Sequence, residues 1–237
     1  MKFITKTRIL IFLLTVFTII IIIKNPQNLI SKFKTKRTVT EVIDLYESKV
    51  LKKLEENFKK TNLTYENIQI AILAIKDERK LIVYAKNNKK DNWKSFKTYK
   101  FTNYSGKLGP KLREGDEQIP EGVYKLESLN PNSRFHLSLR VNYPNKFDKK
   151  KGKLDKRANL GSDIMIHGKN ATIGCIPIGD NNIEEVFVLA KKSFNYKIPI
   201  IITPTDFRKN DKQVEIKSIN WENQLYSSIK EKLKIFP

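Results

Sequence analysis

Residues 161–180 (GSDIMIHGKNATIGCIPIGD) hold two side chains suited to covalent chemistry. They include Cys175, the only cysteine of the 237 residues, and His167, one of two histidines. Imidazole titrates near neutral pH and a thiolate is a strong nucleophile, so a neighbouring pair can attack an amide carbonyl. Glycine at position 174 lets the backbone approach a reacting carbon, and the amides around Gly174 and Cys175 are suited to an oxyanion hole. The stretch therefore predicts a thiol active site.

Two other interpretations of these residues stay open, because spacing alone does not pair them. A histidine and a cysteine eight positions apart are often unrelated core residues. A zinc site would combine His136, His167 and Cys175, but they lack the closely spaced ligand pairs of zinc motifs. We therefore expect no metal and no other cofactor. A lone cysteine also excludes an intramolecular disulfide.

Alternating apolar and polar residues predict the strands that position this stretch. These strands cover residues 68–72, 81–84, 96–104, 123–129, 134–142, 164–167, 175–178 and 198–203. The segment 134–142 turns one face to the core, and its other face carries Arg134, His136, Ser138 and Arg140. Residues 105–122 contain four glycines and two prolines, and an irregular segment of this length predicts a functional loop.

Helical spacing and cap residues predict the helices that flank the strands. An amphipathic helix is expected over about residues 40–60, packed against the domain, and a second over 182–193 with Asp180 as its N-cap. The basic, partly amphipathic tail 217–236 is expected to cover the domain, and 142–158 is expected to be a polar loop with a solvated lysine run, 149–151. The pattern predicts a mainly β fold with flanking helices.

The amino-terminal segment 9–23 carries no charge and follows Lys2, Lys6 and Arg8. As a helix it would span about 22 Å, short of a hydrocarbon core of ~30 Å, but flanking basic residues can snorkel. The residues after it contain no A-x-A cleavage pattern, so we expect an uncleaved signal-anchor. The predicted divisions are an anchor at 1–23, a linker and helix at 24–65, a catalytic domain at 66–205 and a basic tail at 206–237.

The formal net charge of +21 indicates acidic partners, such as an anionic polymer, a membrane surface or nucleic acid. The chain is rich in Lys, Ile and Asn together, a composition that biased codon usage also produces. Its lysines are spread over the whole sequence, and no arginine–aromatic cluster stands out. Nucleic-acid binding is therefore the least favoured of these functions, and we expect none.

Four motifs, in order, resemble the YkuD-type L,D-transpeptidase catalytic domain family, and its YafK-like branch in particular. They are SGKLGPKLREGDEQIPEG, LNPNSRFHLSL, YPNKFD and the run from IMIHG to TIGCI, within residues 66–205. The resemblance implies an L,D-transpeptidase-type β-sandwich or barrel, preceded here by the anchor helix. It also implies a cysteine nucleophile that acts on peptidoglycan stem peptides.

The resemblance assigns roles to individual residues. Cys175 matches the nucleophile and His167 the base. The supporting motif positions are matched by Gly168, Thr172 and Gly174, and the histidine of the FHLS motif by His136. Two positions depart from the family: Ile173 replaces a common second histidine, and Pro177 replaces an arginine. The second change removes a cation for a substrate carboxylate, and the candidates to replace it are Arg140, Arg113 and Lys169.

The function that follows from the resemblance is cysteine-dependent L,D-transpeptidation of tetrapeptide stems through a Cys175 thioester. One alternative is a hydrolase of the same fold, acting as an L,D-carboxypeptidase or endopeptidase, or as an amidase that releases a wall-linked protein. Another is a non-catalytic wall-binding module. The expected partners are stem peptides, the membrane and, in the amidase case, that protein. The expected location is the cell envelope, with one pass through the cytoplasmic membrane and the catalytic domain on the periplasmic side.

Overall fold

Eight strands organise the part of the chain that the structure, a computed structural model, describes: residues 36–210 and 214–237. They are β1 (Gln69–Ile75), β2 (Lys80–Lys86), β3 (Lys94–Lys100), β4 (Gly122–Ser133), β5 (His136–Val141), β6 (Met165–His167), β7 (Ile176–Pro177) and β8 (Pro199–Thr203). Their order in a single mixed sheet is β3-β2-β1-β8-β4-β5-β6-β7. Neighbours run antiparallel except β1 with β8 and β6 with β7, which are parallel.

The sheet curls on itself, where the resemblance predicted a sandwich or barrel. The register between β4 and β5 shifts at two places, and such irregularities bend a strand and increase its twist. Just after β3, the amide of Thr102 donates to the carbonyl of Pro177 in β7 at 2.9 Å. Strands at opposite ends of the sheet order are thereby brought together. The mainly β class is confirmed, in the form of one curled sheet.

Within the described residues, four α-helices cover the sheet: α1 (Val39–Thr61), α2 (Lys146–Leu154), α3 (Asp180–Ser193) and α4 (Glu222–Leu233). Buried residues of α1 and α3, such as Leu54 and Phe187, share the larger core with Ile72 of the sheet. Buried residues of α4, such as Tyr226, form a second core with Leu73 on the opposite face of β1. The predictions that the first helix and the tail pack on the domain are therefore confirmed.

Helix α2 contradicts the prediction of a polar loop over 142–158. Its N-cap Asn145 accepts from the amide of Asp148, whose carboxylate accepts from the amide of Asn145, and this capping box fixes the first turn. The lysine run is not fully solvated either. Lys151 is buried, its Nζ lies 2.6 Å from Oε1 of Gln224, and it covers the ring of Trp221. Few apolar residues were needed here, because caps and lysine stems supply the contacts.

The N-cap predicted for the helix over 182–193, which is α3, is also wrong. The N-cap of α3 is Gly179, without a side-chain hydrogen bond, and Asp180 is the first helical residue. Its carboxylate accepts from the amide of Lys169 at 2.7 Å, so it ties the loop after β6 to the helix.

The predicted anchor at 9–23 lies outside the described residues. Within 36–210 and 214–237, no helix has the length and apolar content to cross a bilayer.

Candidate active site

Strands β6 and β7 place His167 and Cys175 on the same side of the sheet. Ile166 is in parallel register with Ile176, and Cys175 directly precedes β7, beside Met165. Ile166 and Ile176 are fully buried in the larger core. Since side chains alternate along a strand, His167 and Cys175 lie on the face opposite that core.

The Cys175 thiol is held by backbone groups of the segment that leads into β6. Its Sγ accepts from the amide of Met165 at 3.4 Å and donates to the carbonyl of Asp163 at 3.6 Å. Burial raises the pKa of the thiol above its usual range and the charge of Asp163 adds to this, while the Met165 bond and the charge of Lys111 oppose it. The resting residue is therefore a thiol at neutral pH.

The ring of His167 is oriented by a backbone carbonyl. Its Nδ1 lies 2.6 Å from the carbonyl oxygen of Gly168. A carbonyl only accepts, so Nδ1 carries the proton and Nε2 carries the lone pair. The ring stacks on Phe135 with centroids 4.5 Å apart, and it is buried. Burial lowers the pKa of His167, while the Gly168 bond opposes this, so the imidazole is a neutral base.

Nε2 of His167 is buried and has no hydrogen-bond partner within the described residues. Ser138, which is in register with His167 on β5, has a buried Oγ that also lacks a partner there. Side chains opposite each other on neighbouring strands share one face. Two unpaired polar atoms therefore lie on the face of the sheet that carries the thiol, where a substrate group or a water can pair with them.

The supporting motif residues fix the loop that carries Cys175. Thr172 Oγ1 accepts from the Cys175 amide at 3.0 Å and donates to the Cys175 carbonyl at 2.7 Å. The amide of Gly174, whose φ is 115°, donates to Oγ of Ser105 at 2.8 Å. Both amides expected in an oxyanion hole therefore already have hydroxyl acceptors, which a substrate oxygen would have to replace. Gly168 must be glycine, because a Cβ there would lie 2.7 Å from the carbonyl of Phe135.

Of the four other candidate residues, only Arg140 contacts a residue that is hydrogen-bonded to the thiol. It pairs with Asp163, the residue that accepts from Sγ, and its β5 position faces Met165. His136 turns the other way: its Nε2 is 3.1 Å from Oε1 of Glu184 in α3. The Nζ of Lys169 donates to the carbonyl of Arg134. Arg113 lines a separate cavity of about 740 Å³ together with Arg157 and Ile216.

Metal ligands are not gathered here. Among residues 36–210 and 214–237, no three His, Cys, Asp or Glu side chains are close enough together to hold a metal ion. His136 points toward Glu184 of α3, so it lies apart from His167 and Cys175, the two residues with which it would have formed a zinc site.

Comparison with known proteins identifies the family. The model of the YkuD family, the L,D-transpeptidase catalytic domain, matches residues 69–205, more than half of the chain. The chain belongs to this family. It is 30% identical over 165 residues to "Putative L,D-transpeptidase YafK" of Escherichia coli (strain K12), a match that covers 68% of this chain and 61% of the relative. It thus spans less than two thirds of that relative's length.

Solved structures show a more distant similarity. The helical cell shape determining protein Pgp2 of Campylobacter jejuni shares 23% identity at a TM-score of 0.47, over 65% of this chain and 51% of that chain. L,D-transpeptidase 1 of Mycobacterium tuberculosis shares 15% identity at a TM-score of 0.31, over 57% of this chain and 62% of that chain.

The turn-rich loop 105–121 lies against the turn that carries Cys175. A Cβ on Gly174 would lie 3.0 Å from the carbonyl oxygen of Gln118, so the loop packs directly on the cysteine turn. The loop is pinned by Lys76, whose fully buried Nζ donates to Glu121 at 2.9 Å and to two loop carbonyls. Asp116 organises the middle of the loop by accepting from Lys111 Nζ at 2.6 Å and from three loop amides.

Sequence reasoning missed several contributors to this site. Ser105, Lys111 and Asp163 were not predicted, although the first two belong to the loop singled out by its composition. Phe135 belongs to the face of 134–142 that was predicted to meet the core, and Ser138 was noted only as part of the polar face. The alternation of 134–142 contained the signal for Ser138, but nothing in that pattern shows which strand it faces.

Proposed function

We propose that this chain is a cysteine-dependent L,D-transpeptidase that acts on peptidoglycan tetrapeptide stems through a thioester on Cys175. The observation that carries the proposal is the hydrogen bond from His167 Nδ1 to Gly168. That bond leaves a buried Nε2 lone pair, without a partner in the described residues, on the face of the sheet that carries the thiol. The family match supports the choice of substrate.

In acylation, the Cys175 sulfur attacks the carbonyl carbon of the diamino acid at the third position of the stem while its proton passes to Nε2 of His167, and a C–S bond forms. The carbonyl oxygen becomes an oxyanion. It accepts hydrogen bonds from the amides of Gly174 and Cys175 and replaces the hydroxyl oxygens that accept from them in the free protein. The C–N bond breaks, and Nε2 returns its proton to the leaving amine of the terminal D-amino acid.

Deacylation uses the same base. An acceptor amine loses a proton to Nε2 of His167 and attacks the thioester carbon, the C–S bond breaks, and the sulfur leaves as thiolate and takes the proton from Nε2. An amine acceptor produces a cross-link. Water in the same position produces a shortened stem, and the unpaired Ser138 Oγ opposite His167 offers a partner for such a water. This observation keeps a hydrolase as the second candidate function.

Proton transfer accompanies attack in this mechanism rather than preceding it. Burial raises the pKa of Cys175 and lowers that of His167, so the neutral thiol and imidazole are favoured over the ion pair. Substrate binding must then supply the geometry in which the sulfur, the carbonyl carbon and Nε2 meet.

The proposed location follows from the substrate. Peptidoglycan lies outside the cytoplasm, so we place the catalytic domain, residues 66–205, in the periplasm, with residues 1–23 as a membrane anchor and 24–65 and 206–237 flanking it. Protease added to cells with an opened outer envelope should digest the domain. Protection under those conditions would contradict this location.

Purified tetrapeptide muropeptide separates the candidate functions when its products are resolved by liquid chromatography and mass spectrometry. Transpeptidation predicts dimers or exchange of the terminal D-amino acid, and hydrolysis predicts shortened stems without dimers. Cys175→Ala should abolish both, and Ile173→Thr, which changes an exposed neighbour, should retain them. Full activity of Cys175→Ala would refute the thiol mechanism, and turnover by neither protein would favour the wall-binding module.

A further inference from the structure

Arg140 is the neighbour, on β5, of the β6 residue whose amide binds the thiol. Its position on β5 is paired with Met165 of β6, and the amide of Met165 donates to Sγ of Cys175. Ser138 and Arg140 alternate with the buried core residue Leu139, so both side chains lie on the face that carries His167. Only β6 therefore lies between the strand of Arg140 and the segment that carries the reacting sulfur, and the long arginine side chain can extend across it.

The present partners of Arg140 are accessible carboxylates. Its Nη1 contacts Asp163, whose side chain is 64% exposed, and its Nε donates to Glu127 at 2.8 Å, whose side chain is 49% exposed. Arg140 itself keeps 35% of its side-chain surface in solvent. Exposed ion pairs contribute little net free energy, so an incoming carboxylate can take the place of either acid.

Lys111 is a second cation near the thiol, but its ammonium group already has hydrogen-bond partners. The charge of Lys111 acts on Cys175, but Lys111 is buried and its Nζ is held by Asp116 and by the carbonyl of Arg113. Pro177, in register with His167, carries no charge. Arg140 is therefore the cation of this face, within the described residues, that can exchange its partner for a ligand.

We propose that Arg140 binds the free carboxylate of the terminal D-amino acid of the stem, displacing Asp163. The proposal rests on the proposed function and names the part of its substrate that this residue recognises. When Sγ meets the scissile carbonyl, that carboxylate lies one residue farther along the stem, about 3.8 Å in Cα spacing. A planar guanidinium matches a carboxylate with two parallel hydrogen bonds, which a lysine ammonium cannot reproduce.

Two tetrapeptides test this binding: one with a free terminal carboxylate and one in which it is a carboxamide. Binding is measured by calorimetry in a Cys175→Ala background, where the peptides persist. We expect the acid to bind about 10- to 100-fold more tightly than the amide, and Arg140→Gln to remove this preference while leaving amide binding unchanged. Arg140→Lys should retain part of it. Arg134→Gln, at an exposed arginine of the turn before β5, is the matched control and should retain all of it.

Different results would overturn the role of Arg140 and the enzymatic function of the chain. Equal acid preference in the Arg140→Gln and Arg134→Gln proteins, or no preference in the parent, would overturn the role of Arg140, even if the wild-type chain turned over stems. Acid preference that depends on Arg140, with no turnover by the wild-type chain, would support carboxylate binding while refuting the enzymatic function. Thermal unfolding of each variant shows whether a lost preference reflects a lost fold.

Discussion

Replacing Lys76 by methionine should destabilise the protein strongly, because it breaks the buried ion pair that pins loop 105–121. Lys76 and Glu121 both have side chains with no exposed surface, and Lys76 Nζ makes three hydrogen bonds of 2.7–2.9 Å. Burial lowers the pKa of Lys76, and the neighbouring charge of Glu121 opposes this. In the variant, Glu121 would keep only neutral donors, the amide of Gly109 and the hydroxyl of Tyr226.

The expected loss follows from that geometry. Removing one partner of a buried pair costs about 3–5 kcal/mol, since the remaining charge stays buried without its counter-ion. A domain with 5–15 kcal/mol of stability would lose a large fraction of it. Changing Glu121 to glutamine as well removes the stranded charge, so the double variant should be more stable than Lys76→Met alone.

Urea unfolding followed by circular dichroism measures these differences. Lys80→Met is the matched control, since Lys80 pairs with Glu78 at 2.8 Å but both side chains are partly exposed. It should cost less than about 1 kcal/mol. A Lys76→Met loss as small as the control's, or additive losses in the double variant, would refute the claim that this pair anchors the loop.

Three further predictions concern the cysteine turn, the base and helix α2. Thr172→Val removes both bonds to the Cys175 backbone and should lower kcat about 10²-fold, whereas Thr172→Ser should retain most activity in the muropeptide assay. The acid limb of kcat/KM should lie below the usual imidazole pKa, because burial lowers the pKa of His167, and a limb above it would contradict a buried neutral base. Burial raises the pKa of Asp148 to about 6, so the folded state binds this proton more tightly than the unfolded chain does. Its contribution to stability is complete below about pH 4 and is lost as pH rises through 6. Asp148→Asn should remove that loss, roughly 1–3 kcal/mol between urea titrations at pH 4 and 7, and an unchanged pH dependence would refute the assignment.

Local patterns in the sequence predicted much of the sheet. The alternation in 134–142 predicted β5 and its polar face, and the polar turn after residue 75 joins β1 and β2 as an antiparallel hairpin. These features depend on neighbouring residues. The parallel pairing of β1 with β8 and the contact between Thr102 and Pro177 join distant segments, and local periodicity does not determine which strands meet.

The site shows the same division between local and long-range information. Motif spacing singled out His167 and Cys175, and the structure places them on one face of neighbouring strands. The tautomer of His167 depends on the carbonyl of Gly168, and the choice of Arg140 over Arg113 and Lys169 depends on strand register. Helix α2 was missed because its signal, the pair Asn145 and Asp148, is a cap rather than an apolar period.

Intact-protein mass spectrometry shows whether Cys175 carries the acyl group. Wild-type chain mixed with tetrapeptide muropeptide and quenched in acid should gain the mass of the stem minus its terminal D-amino acid, and peptide mapping should place this mass on Cys175. His167→Ala should acylate far more slowly, and Cys175→Ala should not acylate. Turnover without any adduct on Cys175, or an adduct at another residue, would contradict the mechanism.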